Sequence, residues 1–267
     1  MSSHERAVFV KKTITYRLKD NSHDYKVHSF DDITEKEKVV YLYCCFNELT
    51  VLDLSHCPLL KELDCYGNRL TVLDLSHCPL LTQLDCYGSF RKENGSSMRP
   101  HLTVLDLSYC PLLEVLTCYD NHLTVLDLSY CPLLKELDCS CNRLIVLDLS
   151  HCPLLTLLYC RNNKLTELTI SQCPLLTELY CYCNSLTVVD LSHCPLLTLL
   201  YCYFNSLTVL DLSHCPLLIN LKCSLKQVII VKNSSLLIMN YCICCNNKRV
   251  QDYYYNKICF NCFSSQK

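Results

Sequence analysis

Apolar and polar residues alternate along short stretches of this chain. In a representative stretch, Leu63 and Cys65 are each flanked on both sides by polar or aromatic residues. Side chains of a β-strand point to opposite faces at successive residues, so this alternation predicts a strand with one buried face. A second alternating stretch contains Leu73 and Leu75 and predicts a strand that returns in the opposite direction.

The same pattern recurs every 21 residues from about Leu49 to Leu207. Two cysteine columns mark its register, one at 44, 65, 86, 118, 139, 160, 181, 202 and 223, the other before proline at 57, 78, 110, 131, 152, 173, 194 and 215. One step in each column is 32 residues, so 11 extra residues fall within 89–101 and predict an excursion loop. A repeat of this period predicts a solenoid, in which short coils stack on one another.

Two further columns, one of asparagine and one of proline, predict where the chain turns between the strands of each coil. An asparagine column runs through Asn47, Asn68, Asn121, Asn142, Asn163, Asn184 and Asn205. Short amides compete well for local backbone groups, so we expect these side chains to bind the turn backbone of neighbouring coils. A proline follows the second cysteine column, from Pro58 to Pro216, and ends the returning strand. A proline in every coil also argues against long helices.

Each coil contains the string Leu-x-x-Leu-x-Cys-x-x-Asn-x-Leu, as at Leu60, Leu63, Cys65, Asn68 and Leu70. This string resembles the leucine-rich repeat, in the short 21-residue form known from internalin-like bacterial proteins and from repeat proteins of large DNA viruses. The resemblance implies a right-handed coil of short parallel strands, rich in β-structure, with little helix and a cap at each end. We expect an N-terminal cap at 1–40, a solenoid at 41–225 and a C-terminal cap with a Cys-rich tail at 226–267.

The net charge and the apolar runs of the chain limit the classes of molecule that it is expected to bind. A formal net charge of -2 argues against general attraction to nucleic acid or to an anionic membrane. The sequence has neither an apolar run long enough to span a membrane nor a secretory apolar region near Met1. We therefore expect a cytoplasmic protein, located in the host cytoplasm if the chain is viral.

Of the 25 cysteines, 17 belong to the two columns. Buried cysteine packs as a small apolar side chain, and stacked strands hold neighbouring thiols farther apart than the usual Cβ separation of a disulfide, about 3.8 Å. We expect reduced thiols that fill the core, as suits a reducing compartment. Disulfides within a column, or clustered metal, are the alternatives.

Side chains that flank the Leu-x-Cys strand point away from the core and predict a partner-binding surface on the concave side. Its acidic residues are Glu62, Asp64, Asp85, Glu136 and Asp138, and its aromatic residues are Tyr66, Tyr87, Tyr119, Tyr159, Tyr180, Tyr182, Tyr201, Tyr203 and Phe204. Tyrosine is enriched in recognition surfaces. Since tyrosine is also a good strand former, repetition of one unit is an alternative explanation of the column.

The two ends differ from the repeat. Strand-like segments before residue 30 and a capping box from Asp32 to Glu35 predict strands and then a short helix to about Val40. Near the other end, Cys242, Cys245, Cys259 and Cys262 form two Cys-x-x-Cys pairs. This set predicts a tetrahedral zinc site, and its alternative is a Cys-rich tail without metal.

Little in the sequence points to catalysis. The chain has 3 glycines and no glycine-rich phosphate loop, so we expect neither an enzyme nor a small-molecule substrate. We predict a protein-protein interaction scaffold. An adaptor whose zinc module contacts nucleic acid or ubiquitination machinery is the alternative, and a repeat that has expanded with little selected function is a third interpretation.

Overall fold

The computed structural model describes residues 13–20, 23–88 and 101–224, together with the backbone of a final strand at 228–230. The strands are β1 Ile14–Leu18, β2 Asp24–Val27, β3 Val39–Tyr43, β4 Glu62–Asp64, β5 Gln83–Asp85, β6 Val115–Thr117, β7 Glu136–Asp138, β8 Val146–Asp148, β9 Leu157–Tyr159, β10 Glu167–Thr169, β11 Glu178–Tyr180, β12 Leu199–Tyr201, β13 Val209–Asp211, β14 Asn220–Lys222 and β15 Val228–Ile230. Most of them join one eleven-stranded sheet in the order β14-β12-β11-β9-β7-β6-β5-β4-β3-β1-β2, and two strand pairs, β10-β8 and β13-β15, lie on the return limbs. The predicted solenoid of short parallel strands with little helix is confirmed.

From β3 to β14 the main sheet is parallel and in register at 21-residue steps, for example Leu63 beside Leu84, except for the 32-residue step from Leu84 to Leu116. At the first coil β1 pairs antiparallel with β3 and with β2. Tyr16 and Ile14 of β1 are buried on the core. These strands cover what would otherwise be the open backbone edge of β3.

The predicted helix to Val40 is wrong. The segment instead forms two single 3-10 turns, Phe30–Asp32 and Lys36–Lys38. The capping box is made by Ser29 and Asp32, because the Asp31 N–H donates to Ser29 Oγ while the Ser29 N–H donates to Asp32 Oδ2. Val39 then enters strand β3, so tertiary pairing stops helix growth at this point.

The return limbs keep the predicted alternation, with Leu73 and Leu75 buried and Val72 and Asp74 exposed. Within the described residues, strand pairing between return limbs occurs only at β8-β10 and β13-β15. In most coils the limb ends where an aspartate accepts a hydrogen bond from the serine two residues later, as Asp74 Oδ1 does from the Ser76 N–H at 2.9 Å. This local turn competes with continued pairing.

The asparagine column joins successive coils, as predicted. Asn142 Nδ2 donates to the carbonyl oxygen of Cys139 at 3.1 Å in its own coil and to that of Cys118 at 3.0 Å in the preceding coil. Its Oδ1 accepts from the Leu123 N–H at 3.0 Å. Comparable bonds are made by Asn68, Asn121, Asn163, Asn184 and Asn205.

The residue before each ladder asparagine turns the chain through left-handed backbone geometry. The φ values are 54° at Asp120, Cys141, Asn162 and Phe204, and 66° at Gly67. This region is unfavourable for residues with a Cβ, so the amide bonds of the following asparagine also hold a strained corner.

Both cysteine columns are buried apart from the half-buried Cys223 at the end of the first, which confirms their predicted role in the core. Cys139 and Cys152 are 0% exposed, and the described cysteines are free thiols. Burial raises the pKa of Cys78 and of Cys131 to about 12. These thiols therefore stay protonated and unreactive at neutral pH.

Replacement of a ladder asparagine should destabilise the solenoid strongly. In Asn142→Ala, the carbonyl groups of Cys118, Cys139 and Ser140 and the Leu123 N–H lose a buried partner, and a buried group left unpaired costs about 1–3 kcal/mol. We expect the free energy of unfolding to fall by at least about 3 kcal/mol, measured by urea unfolding followed by circular dichroism. Thr124→Ala, at an exposed site, is the control. Equal small losses in both variants would contradict a structural role for the amide.

Candidate partner-binding face

The outward side chains of the main sheet form one surface, called here the sheet face. Because alternate residues share a side of a strand, each coil contributes its first and third strand residues and the residue two further on. The third strand residues from β4 onward are Asp64, Asp85, Thr117, Asp138, Tyr159, Tyr180, Tyr201 and Lys222, and Tyr43, the last residue of β3, is their register equivalent. The residues two further on are Cys45, Tyr66, Tyr87, Tyr119, Ser140, Arg161, Tyr182, Tyr203 and Ser224. Parallel register therefore stacks like positions in columns.

The acidic part of the sheet face is partly buried. Asp64 and Asp85 are register partners on β4 and β5, and the Oδ1 atom of each is buried without a hydrogen-bond partner among the described residues. Burial raises the pKa of Asp64 and of Asp138. Burial, then the neighbouring Asp64 and Asp138 carboxylates, raise the pKa of Asp85 to about 7. Near neutral pH this region thus carries less negative charge than its residue types suggest.

A tyrosine stack lies beside these carboxylates. The rings of Tyr66 and Tyr87 stack with centroids 4.2 Å apart, and those of Tyr87 and Tyr119 stack at 4.4 Å. Phe46 closes the stack edge-on against Tyr66 at 4.9 Å. Each ring restricts the rotamers of its neighbours, which makes this column rigid.

In the C-terminal half, tyrosines replace aspartates in the third strand position. Tyr159 and Tyr180 stack at 4.4 Å, and Tyr201 meets Tyr180 edge-on at 5.1 Å. Lys222 Nζ lies 4.2 Å from the centroid of the Tyr201 ring, within the range of a cation-π contact. The column thus ends in a positive charge.

A second aromatic row runs parallel to the first. Tyr182 and Tyr203 stack at 4.5 Å, and the guanidinium of Arg161 lies 5.7 Å from the Tyr182 ring centroid. Burial, then the neighbouring Tyr182, raise the pKa of Tyr203 to about 12. Its hydroxyl therefore remains a hydrogen-bond donor at physiological pH.

The structure brings the predicted strand and tyrosine residues onto this one surface. Phe204 differs, because it lies at a left-handed corner with its ring 5.2 Å from that of Tyr203. That these residues bind a partner stays a prediction. Sequence reasoning missed Tyr43, whose hydroxyl lies 3.1 Å from Glu62 Oε2, as well as Leu157, Leu199 and Lys222. The 21-residue spacing could have found all four.

Other predicted sites lie outside the described residues. They are the zinc ligands Cys242, Cys245, Cys259 and Cys262 and nearly all of the loop at 89–101. Within the described ranges, no group of three or more His, Cys, Asp or Glu side chains is arranged to hold a metal ion. The part of the chain that the structure describes also contains no helix long and apolar enough to cross a membrane.

A recurring Asp-x-Ser-His sequence at the end of the return limb contains the residue types of a hydrolytic triad. Ser76 Oγ lies 3.0 Å from His77 Nδ1, but Asp74 accepts from the Ser76 N–H. In a catalytic triad the carboxylate holds the imidazole, whereas this carboxylate caps a turn. In this geometry the aspartate stabilises the turn.

Sequence models of the leucine-rich repeat match much of the solenoid. One, described as Leucine Rich Repeat, matches residues 48–68, 69–89, 122–144, 185–207 and 206–228, and a second matches residues 100–113. A comparison with curated protein sequences finds no match.

Solved structures with the same fold include three bacterial proteins. The functional domain of InlJ from Listeria monocytogenes, described as including a cysteine ladder, is 34% identical with a TM-score of 0.63, over 73% of this chain and 44% of that one. YopM, a leucine-rich effector protein from Yersinia pestis, is 25% identical with a TM-score of 0.58, over 76% and 56%. Internalin C2 from Listeria monocytogenes, 18% identical with a TM-score of 0.52 over 64% and 74%, supports the fold alone. The chain thus spans less than half of the InlJ structure.

The raised pKa of Asp85 predicts how stability depends on pH. A carboxyl with a higher pKa in the folded than in the unfolded chain adds stability that is complete below its unfolded pKa, near 4. That stability is lost as the pH rises through about 7. One pKa unit corresponds to about 1.4 kcal/mol, and solvent screening reduces the total, so we expect Asp85→Asn to remove about 1–3 kcal/mol of pH dependence over this interval.

Urea unfolding at a series of pH values measures this effect, and Asp74→Asn is its control. Hydrogen bonds from the Ser76 hydroxyl and N–H lower the pKa of Asp74, so its stabilisation is present above its unfolded pKa and is lost in acid. Asp74→Asn should therefore lower stability at neutral pH. A wild-type slope that survives in Asp85→Asn would refute the assignment.

Proposed function

The chain is a leucine-rich repeat protein with short internalin-like repeats, and we propose that it binds another protein through its sheet face. Leucine-rich repeat proteins are generally non-enzymatic scaffolds, and their repeat domains generally bind proteins. Because the chain spans only part of the similar bacterial structures, their activities and partners are not assigned to it.

The observation that carries the proposal is the pair of tyrosine rows on one rigid sheet. Stacking fixes the rings of Tyr159 and Tyr180, and those of Tyr182 and Tyr203, before a partner arrives. Ordering side chains on binding costs about 0.5–1.5 kcal/mol for each immobilised rotamer-rich group, so rings that are already ordered favour affinity. Their hydroxyls supply hydrogen-bonding groups at the edge of an apolar surface.

The acidic part of the face favours a partner segment with basic residues. Glu62 and Glu136 lie on the same surface as Asp85 and Asp138. Opposite charge steers association and sets register more than it adds affinity. In this proposal the tyrosines supply most of the binding energy, and the carboxylates select the partner and its orientation.

The proposal also places the protein in a reducing compartment, such as the cytoplasm. The protonated, buried thiols of both columns support it, because they contribute to the core as free cysteines.

Loss of two face tyrosines should weaken partner binding strongly. Tyr180→Ser with Tyr203→Ser removes a ring from each row, and we expect affinity to fall by at least about 2 kcal/mol, roughly thirtyfold. The measurement is quantitative affinity capture with the full chain as bait, then calorimetry with the purified protein that wild type retains.

The matched control is Tyr109→Ser with Tyr130→Ser. These rings are exposed to 50% and 52% but lie in the cysteine-proline corner, away from the sheet face. A partner lost equally from both double variants, or from neither, would place the binding surface elsewhere. Circular dichroism of each variant establishes that the fold is retained.

An adaptor remains the second candidate, supported by the spacing of Cys242, Cys245, Cys259 and Cys262. Two such pairs can hold one Zn²⁺ as four thiolates and so fold a short tail. The second component that the tail would contact is nucleic acid or ubiquitination machinery.

Metal content tests the adaptor directly. We expect one zinc per full-length chain purified under reducing conditions, measured by elemental mass spectrometry, and none in a form that ends near Asn240. Equal metal content in both forms would exclude the tail as the site.

A further inference from the structure

A line of exposed valines runs along the return limbs, and the residue after each valine is a buried leucine or valine. This valine stripe consists of Val51, Val72, Val104, Val125, Val146, Val188 and Val209. Five of its members are 68–75% exposed, and Val146 and Val209 are 47% and 48% exposed. Glu167 takes the equivalent place in one coil. The stripe is separate from the sheet face.

Strand propensity alone does not explain this column. A solvated strand position accepts threonine as readily as valine, and the residue just before each valine is an exposed threonine in most coils, as at Thr71 and Thr124. Aligned apolar side chains form a continuous patch, and such patches mark interaction sites. We propose that the valine stripe is the interface of a dimer formed with a second copy of this chain.

The pitch of the stripe favours a second copy as its occupant. Neighbouring valines are one coil apart, about 4.8 Å, over seven coil-to-coil steps, which gives a length of about 34 Å. A partner whose side chains repeat at another spacing falls out of step within a few coils. A second copy repeats at the same spacing along the whole stripe.

Charge on the two flanks complements this arrangement. On one side lies an aspartate column of Asp53, Asp74, Asp106, Asp127, Asp148, Asp190 and Asp211. Hydrogen bonds from the serine two residues later lower the pKa of Asp74 and of Asp148, which favours their negatively charged form. On the other side the charged residues are Glu48, Arg69, Arg143 and Lys164, all exposed. Arg69 Nη2 pairs with Glu48 Oε1 at 3.8 Å, so Arg143 and Lys164 give this flank its net positive charge.

The direction of the two-fold axis of the dimer decides which flanks of the two copies face each other. If the two-fold axis runs parallel to the stripe, both copies point the same way and the acidic flank of one faces the basic flank of the other. Arg143 then lies level with Asp148 of the second copy. With opposite directions the aspartate columns would face each other, which like charges disfavour. The two copies therefore run in the same direction.

The interface is modest in size. Five residue steps across the limb, from position 48 to position 53, span about 17 Å, so the face covers roughly 600 Å². A standard interface buries about 800 Å² on each partner. We therefore expect a reversible dimer that depends on protein concentration.

Sedimentation equilibrium of the full chain under reducing conditions tests the proposal. Wild type should show a monomer-dimer equilibrium, and Val72→Lys with Val125→Lys should raise the dimer dissociation constant at least about tenfold. The control, Gln83→Lys with Val115→Lys, adds the same charges to the sheet face and should leave the equilibrium unchanged. If the lysine variant fails to fold, Val72→Thr with Val125→Thr keeps the β-branched shape and should still weaken the dimer.

Charge exchange tests the orientation. Arg143→Asp and Asp148→Arg should each weaken the dimer, and the two together should restore it. A wild-type chain that stays monomeric at all concentrations, a dimer insensitive to the stripe variants, or equal loss in the sheet-face control would each overturn the proposal. Failure of the charge exchange to restore the dimer would overturn the same-direction arrangement.

Discussion

The side-chain amide of each ladder asparagine connects two coils and fixes the corner between them. Asn142 donates to carbonyl groups of two successive coils and accepts from the limb that returns beneath it. The corner before it has left-handed backbone geometry, which is unfavourable without such support. Each amide fixes the spacing between two coils and the direction in which the chain leaves the corner. Each coil therefore repeats the path of the one before. In-register stacking of all other columns follows from this constraint.

Because the coils stack in register, each position of the repeat forms its own column of side chains. Inward positions become two continuous rows of thiols and several rows of leucine, while outward positions become rows of tyrosine, aspartate or valine. Stacking suits rings and apolar groups, whose neighbours attract one another. It is unfavourable for carboxylates held about 4.8 Å apart. On the return limb, hydrogen bonds to serine keep Asp74 ionised in water, whereas on the sheet face burial moves Asp85 toward its neutral form.

Most of the fold could be predicted because the 21-residue repeat shows which residues lie beside one another in successive coils. The alternation around Leu63 and Cys65 predicts the strands, and the recurrence of Asn68 predicts the amide ladder. The segment before Val40 has no such repeated context. There, the choice between a helix and two 3-10 turns depended on pairing of β3 with β1, a contact between segments that local sequence does not encode. The sequence repeat could predict which residues lie on the sheet face, but not their pKa values. The raised pKa of Asp85 depends on burial and on the proximity of Asp64 and Asp138 in the folded chain.

The two outward surfaces differ in how selective they can be. On the sheet face the outward columns change along the solenoid, from carboxylate to tyrosine and finally to Lys222, so a partner is matched at one position and in one direction. The valine stripe changes little from coil to coil. By itself it would allow a second copy to slide by whole coils, with each shift of about 4.8 Å restoring the same contacts. The interruption at Glu167 and the uneven placement of Arg69, Arg143 and Lys164 break this translational equivalence. A stripe that supplies adhesion and flanking charges that select one register would together define a single dimer.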